Sequence, residues 1–298
     1  MRFARIALIV FYVGLPATLF AELQNGDLPV TRWYAHIDLV EMRSSDAGRE
    51  LYDWLDDEVF AELREEFGFD ADQEADAITA LAATDGGAIV VIDGEFSEKT
   101  EDKILAIAAL AGNFDTLTHD GKAFYQFEEE SHGPHGDLPE DAAFMSLAVE
   151  NKLLVTETRK QMEQLLSSNG QFPGDYDSEG ALLVLRGDNN FVQAGMRPGS
   201  FSDLGWDSNV LQNTEQLALL ISDSAGMLAV EAQLVAAQAE EANTLASVVR
   251  GLIAILSLSD ETDPELTAFL NETDVDVDGS TLTVSIVLDP EVLVEAID

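Results

Sequence analysis

The 298-residue sequence predicts an α+β fold in which antiparallel sheets are covered by helices, laid out as two related hairpin–helix–hairpin units. Three observations predict it. Apolar segments of period two flank tight-turn signals at Asp85-Gly86-Gly87, Asp120-Gly121, Ser224-Ala225-Gly226 and Asp278-Gly279. Capped segments with apolar residues at helical spacing stand between those pairs. The order hairpin, helix, hairpin occurs in both halves of the chain.

The chain opens with Arg2 and Arg5, continues through an uncharged apolar run over 6–20, and reaches the small residue Ala21. This is the layout of a secretory signal, expected to be removed near Ala21. It falls short of the roughly 20 apolar residues that span a membrane. The expected division is a signal peptide at 1–21, an N-terminal α+β unit at 30–128 and a C-terminal α+β unit at 141–298. The two units can pack as one domain.

Alternation of Trp33, Ala35, Ile37 and Leu39 predicts a first strand that stops at 43–46. Ser44 or Ser45 can cap the next helix, because a hydroxyl accepts from the orphan amides of a first turn. Leu51, Leu55, Val59, Leu63 and Phe67 then recur at i+4, with Trp54 beside them and Asp53, Asp56, Asp57, Glu62, Glu65 and Glu66 off the stripe. That pattern is one amphipathic helix or two, ending at Gly68. Strands at 77–83 and 88–92 make a hairpin. Ser97 caps a helix carrying Ile104, Leu105, Ala108 and Ala111, closed by Gly112, and strands at 115–118 and 123–127 make the next hairpin. A further pair at 144–149 and 153–156 turns at Glu150-Asn151, followed by a helix over 159–166 and a strand over 181–185. The later unit repeats the order: strands at 216–221 and 227–235, an alanine-rich helix over 240–258, a shorter helix opened by Pro264, and strands at 274–277 and 282–288. Loops at 128–140 and 169–180, and an irregular stretch at 186–208, are long for a compact protein and are the first places to look for function.

Composition excludes whole classes of chemistry. There is no cysteine, hence no disulfide, thiolate nucleophile or Cys-ligated zinc. The 57 acidic and 15 basic residues give a net charge of −42, which becomes −44 if Arg2 and Arg5 leave with the leader. Lysine is confined to Lys99, Lys103, Lys122, Lys152 and Lys160. Such a surface suits a salty surrounding and makes nucleic acid and anionic membrane surfaces poor partners, since both require a basic face. A hydrophobic fraction of 46% and a mean hydropathy of +0.02 still provide for a core.

The motifs are few. Asp274-x-Asp276-x-Asp278-Gly279 copies the first half of an EF-hand loop, but its twelfth position is Ser285 and 281–288 reads as a strand, so a hairpin is expected. His132, His135 and Asp137, in an acidic loop, form the candidate metal site, with weak divalent cations as ligands. His36 within a strand and His119 before a turn are expected to be structural. No G-x-S-x-G, S-x-x-K, H-E-x-x-H or glycine-rich phosphate loop occurs, so no catalytic residue and no cofactor are assigned. The apolar run 244–258 is too short for a membrane span and contains Arg250; a buried core helix is expected. Asn271-Glu272-Thr273 satisfies a glycosylation sequon.

The segment His36-Ile37-Asp38-Leu39-Val40-Glu41-Met42-Arg43-Ser44-Ser45, a strand running into a capped helix after an export signal, resembles the start of some exported bacterial proteins of unknown function. The C-terminal order, with Pro264-Glu265-Leu266 before the Asp278-Gly279 hairpin, is similar to theirs as well. The resemblance implies layout and export, and no site. The expected function is therefore a non-enzymatic binding or scaffolding protein of the envelope or extracellular space, its partner a protein or envelope component. A carboxylate-based or metal-assisted hydrolase and a calcium-stabilised structural module are the alternatives.

Overall fold

Alternating apolar side chains give each strand one face that must be covered, and the sequence supplies enough of them to build sheets in both halves of the chain. The computed structural model describes residues 31–67, 69–83, 87–110, 113–128, 142–171, 180–190, 214–258 and 264–297. It is α+β, with every strand pairing antiparallel among the described residues. Chain contacts gather residues 55–177 into one compact unit and residues 31–54 with 178–298 into another.

This grouping differs from a sequential division at 30–128 and 141–298, and two ladders give the reason. Strand β1 (Thr31–Asp38) pairs with β8 (Ala181–Asp188), Trp33 opposite Gly187 and Ile37 opposite Leu183. Strands β6 (Ala142–Val149) and β7 (Lys152–Thr156) pair instead with β5 (Lys122–Glu128) and β3 (Ala88–Asp93). With β2 (Ala77–Ala83) and β4 (Asn113–His119), the first unit has the order β2-β3-β7-β6-β5-β4. Val91, Phe124 and Leu154 are fully buried in it, together with Met162 and Leu166 of the helix that follows β7. The second unit has the order β11-β12-β10-β9-β8-β1, with β9 (Thr214–Ser224), β10 (Met227–Ala236), β11 (Asp274–Asp278) and β12 (Thr281–Leu288).

The turn signals act as expected where they are described. Asp120 and Gly121 take φ of 49° and 79°, the paired positive values of a two-residue hairpin turn that twists with its strands. Ala225 and Gly226 repeat that geometry at 57° and 85°. Asp85 and Gly86 lie outside the described residues, although the strands they separate pair in register from Ala77–Asp93 to Ala82–Ala88.

Four helical segments depart from the sequence expectation, the short one at Ala71–Glu74 among them. The first strand ends at Asp38, well before the stop expected at 43–46, because the Asp38 carboxylate accepts from the Glu41 amide at 2.8 Å and opens helix α1 (Leu39–Ser44). Ser45 then caps α2 (Asp46–Leu55), its hydroxyl accepting from the Gly48 amide at 3.0 Å. A π-helical turn over Asp56–Phe60 separates α2 from α3 (Ala61–Phe67). The added residue shifts the stripe by one, so Phe60 is buried at the place expected of Val59, and Leu63 follows in phase. Third, α9 (Pro290–Ile297) closes the described chain, its Glu291 amide donating to the Asp289 carboxylate at 3.1 Å. The remaining helices are α4 (Ala71–Glu74), α5 (Glu98–Leu110), α6 (Arg159–Ser167), α7 (Ala239–Ser257) and α8 (Pro264–Glu272).

Candidate functional site

His132, His135 and Asp137, the residues expected to hold a metal, lie outside the described residues, as do 172–179 and 191–213. Among the described residues no group of three or more His, Asp or Glu is placed to hold a metal ion. Asp274, Asp276 and Asp278 are exposed and alternate with Val275 and Val277, which pack toward the core. They stand opposite Ser285, Thr283 and Thr281, so the half EF-hand is a hairpin whose carboxylates fan into solvent.

Glu74 is the buried carboxylate of the first unit, 7% exposed at the end of α4. Three donors converge on it. The Ser97 amide donates at 3.0 Å, the Asp70 amide at 3.1 Å, and the Thr100 hydroxyl at 2.8 and 2.9 Å to its two oxygens. Ser97 in turn caps α5 by accepting from the Thr100 amide at 3.2 Å. Burial pushes this carboxyl upward, but the hydrogen bonds from Ser97, Asp70 and Thr100 outweigh it and hold the group below the ordinary glutamate value. These bonds tie α4 to the cap of α5.

His119, Asp120 and Ser167 form a cluster that no sequence spacing announces, since 48 residues separate His119 from Ser167. The Ser167 hydroxyl lies 2.9 Å from His119 Nε2. The types are those of an acyl-transfer triad, but the wiring differs. Asp120 sits 3.5 Å from the same Nε2, whereas an orienting carboxylate must hold the opposite ring nitrogen. The Ser167 hydroxyl also lies within hydrogen-bond reach of the Glu163 carbonyl at 2.9 Å and of the Asp120 carboxylate at 3.3 Å. Among the described residues no carboxylate holds the opposite ring nitrogen in the way such a triad requires. Lys122 completes the picture by donating to the Leu166 carbonyl and to Asn169 Oδ1, both at 2.5 Å. Two basic side chains thus clasp the C-terminal turn of α6, where the helix dipole favours them.

Helix α7 provides the site with an open apolar surface. Its N-terminal half is conventional: Ala242, Leu245 and Ala246 are buried, and Leu245 and Ala246 cluster with Leu282, against which Leu234, Val249, Val275, Val277 and Val284 pack. Beyond Val249 no residue of the helix is buried. Val248, Ile255, Leu256 and Leu258 are 38%, 67%, 46% and 84% exposed. The expectation of a buried core helix over 244–258 is therefore corrected: the buried cluster engages the helix only as far as Val249, and no residue after it is buried. Full burial of an isoleucine or leucine gains about 1.5–3 kcal/mol, so leaving two in water is a cost the monomer carries. Arg250 points elsewhere, its guanidinium donating to the Val275 carbonyl at 2.5 Å. Uniform apolarity over 248–258 signalled burial in the sequence; only the tertiary surroundings separate a core helix from one with an open face.

No family model and no curated protein matches this chain. Three solved structures of TP0453, crystal forms I, III and IV, are similar at a TM-score of 0.47 and 10%, 12% and 11% identity. The matches cover 92%, 92% and 90% of this chain and 98%, 99% and 93% of that one. At that level the likeness assigns neither a family nor an activity. Among the described residues no helix is long and apolar enough to cross a membrane.

Proposed function

We propose that this chain is an exported, non-enzymatic binding protein that engages another envelope or extracellular component through the second unit. The observation that carries the reading is the exposed apolar end of α7, with Ile255 and Leu258 largely in solvent on a helix already anchored by its other half. Contiguous exposed apolar surface on a soluble protein marks interaction sites more often than it occurs idly. The polar clusters of the first unit support the same reading from the other side, since Glu74 and the His119–Ser167 pair spend their hydrogen bonds on holding helices. Export rests on the leader pattern at 1–21.

The test is a comparative pull-down from native envelope and medium fractions, using the full chain and an Ile255→Ser/Leu258→Ser variant. A component retained by the wild type and lost with the variant is the expected result. Equal recovery with both would place any binding elsewhere and end the reading.

A further inference from the structure

Helix α6 closes in a Schellman motif. The Gly170 amide donates to the Leu165 carbonyl at 2.7 Å and the Asn169 amide to the Leu166 carbonyl at 3.4 Å, with φ of 53° at Asn169 and 74° at Gly170. Asparagine can stand at the left-handed position because its short polar side chain tolerates it. Among the described residues this is also the one Asn-Gly pair, the sequence in which a backbone nitrogen reaches a side-chain amide most readily, since glycine puts no Cβ in the way. In an unheld chain the Gly170 nitrogen gives its proton to a base in solvent and attacks Asn169 Cγ. The new N–Cγ bond closes a succinimide ring as Nδ2 departs in ammonia. Water then opens the ring to aspartate or, through its other carbonyl, to isoaspartate, and one negative charge is added.

The fold opposes that attack on both partners. The Gly170 proton is committed to Leu165, and the residue is buried against the stem of Lys152, whose Cδ an added Cβ would approach to 2.5 Å. Lys152 Nζ is itself held by the Asp93 carboxylate, so the cover stays in place. Asn169 is exposed, yet its carboxamide is fixed: Lys122 Nζ donates to Oδ1 at 2.5 Å while also donating to the Leu166 carbonyl at 2.5 Å. We infer that Asn169-Gly170 is a latent deamidation site, closed by the C-cap of α6 and kept closed by Lys122, which reaches it from 47 residues away in sequence. Fraying of the helix end frees both partners together. Reaction then makes the opening permanent, because isoaspartate carries an extra methylene in the backbone and the Gly170 amide no longer falls on the Leu165 carbonyl. The pair is a one-way record of how often that end of the first unit has opened. This inference stands apart from the binding reading, which concerns the second unit.

The test incubates the full chain near neutral pH and reads Asn169 by mass and chromatography after trypsin. The fragment between Lys160 and Arg186 contains Asn169 as its only asparagine. A synthetic peptide of residues 161–186 is the unheld reference, since so short a helix is marginal alone in water. Asn169 should react slower in the folded chain than in the peptide by about tenfold or more, because the opened end is a minority state. Lys122→Met should recover a large part of that factor. Ser167→Ala, which removes the His119 contact from the same turn and leaves the hold on Asn169, should not. Circular dichroism confirms that both variants fold; if Lys122→Met does not, Lys122→Gln replaces it. Reaction in the folded wild type as fast as in the peptide would overturn the inference without any variant. Lys122→Met as slow as wild type, or Ser167→Ala as fast as Lys122→Met, would overturn it by removing Lys122 as the hold.

Discussion

Glu74 carries the strongest single-residue consequence in the described chain. Its carboxyl titrates below the ordinary glutamate value of about 4.3, so its contribution is fully present above that pH and is lost as pH falls through the lower folded-state value. Glu74→Gln keeps the shape but loses the charge that strengthens the bonds from Ser97, Asp70 and Thr100. Chemical denaturation should show it less stable than wild type by about 1.5–3 kcal/mol at pH 7, with the gap closing as pH falls below the ordinary glutamate range and the wild-type carboxyl protonates. Gly94 stands against the same residue: a Cβ there would come within 2.0 Å of the Glu74 carbonyl oxygen. Backbone cannot step aside as a side chain can, so Gly94→Ala should cost about 3 kcal/mol, at the upper end of overpacking, and be visible as a large drop in thermal midpoint.

Elements in this chain are set by their first residues more than by their interiors. Ser45, Ser97 and Thr158 each cap the helix that follows, accepting from the amides of Gly48, Thr100 and Gln161 at 3.0, 3.2 and 3.3 Å. Ser45→Ala should therefore destabilise the second unit by about 1 kcal/mol in a denaturant titration, whereas Ser44→Ala, whose hydroxyl only bonds back to the Glu41 carbonyl, should be close to neutral. Caps and turns were the legible part of the sequence: Asp120-Gly121, Asn151 and Ser97 each fall where their side chains or permitted φ require. The π-helical turn was not, because an extra residue at 56–60 leaves the apolar spacing readable in either register until Phe60 packs. Helix α1 was missed for a related reason: Leu39 and Val40 suit a strand, and Asp38 overrides them by capping. Of the sites, the His119–Ser167 contact is beyond sequence because it joins a hairpin tip to a helix end. The open end of α7 is beyond it because exposure is a property of neighbours.

At the scale of the molecule, acidity governs stability and the way the chain is assembled. With a net charge of −42, repulsion between exposed carboxylates opposes compaction over a screening length of about 10 Å at 0.1 M salt, shrinking to about 3 Å at 1 M. Thermal unfolding followed from 0.05 M to 1 M sodium chloride should move upward by several degrees, roughly the effect of 1 kcal/mol or more. A flat response would mean that the surface charge is without weight. Assembly follows from the pairing of Trp33 with Gly187 and Ile37 with Leu183. Within its unit the opening strand of the described chain pairs with one roughly 150 residues further on, a separation that slows closure of that ladder. That ladder can close only once residues 181–188 are available to it. Fragments ending before residue 180 should lack the β1–β8 ladder and expose that edge to proteases, however well the intervening unit has formed.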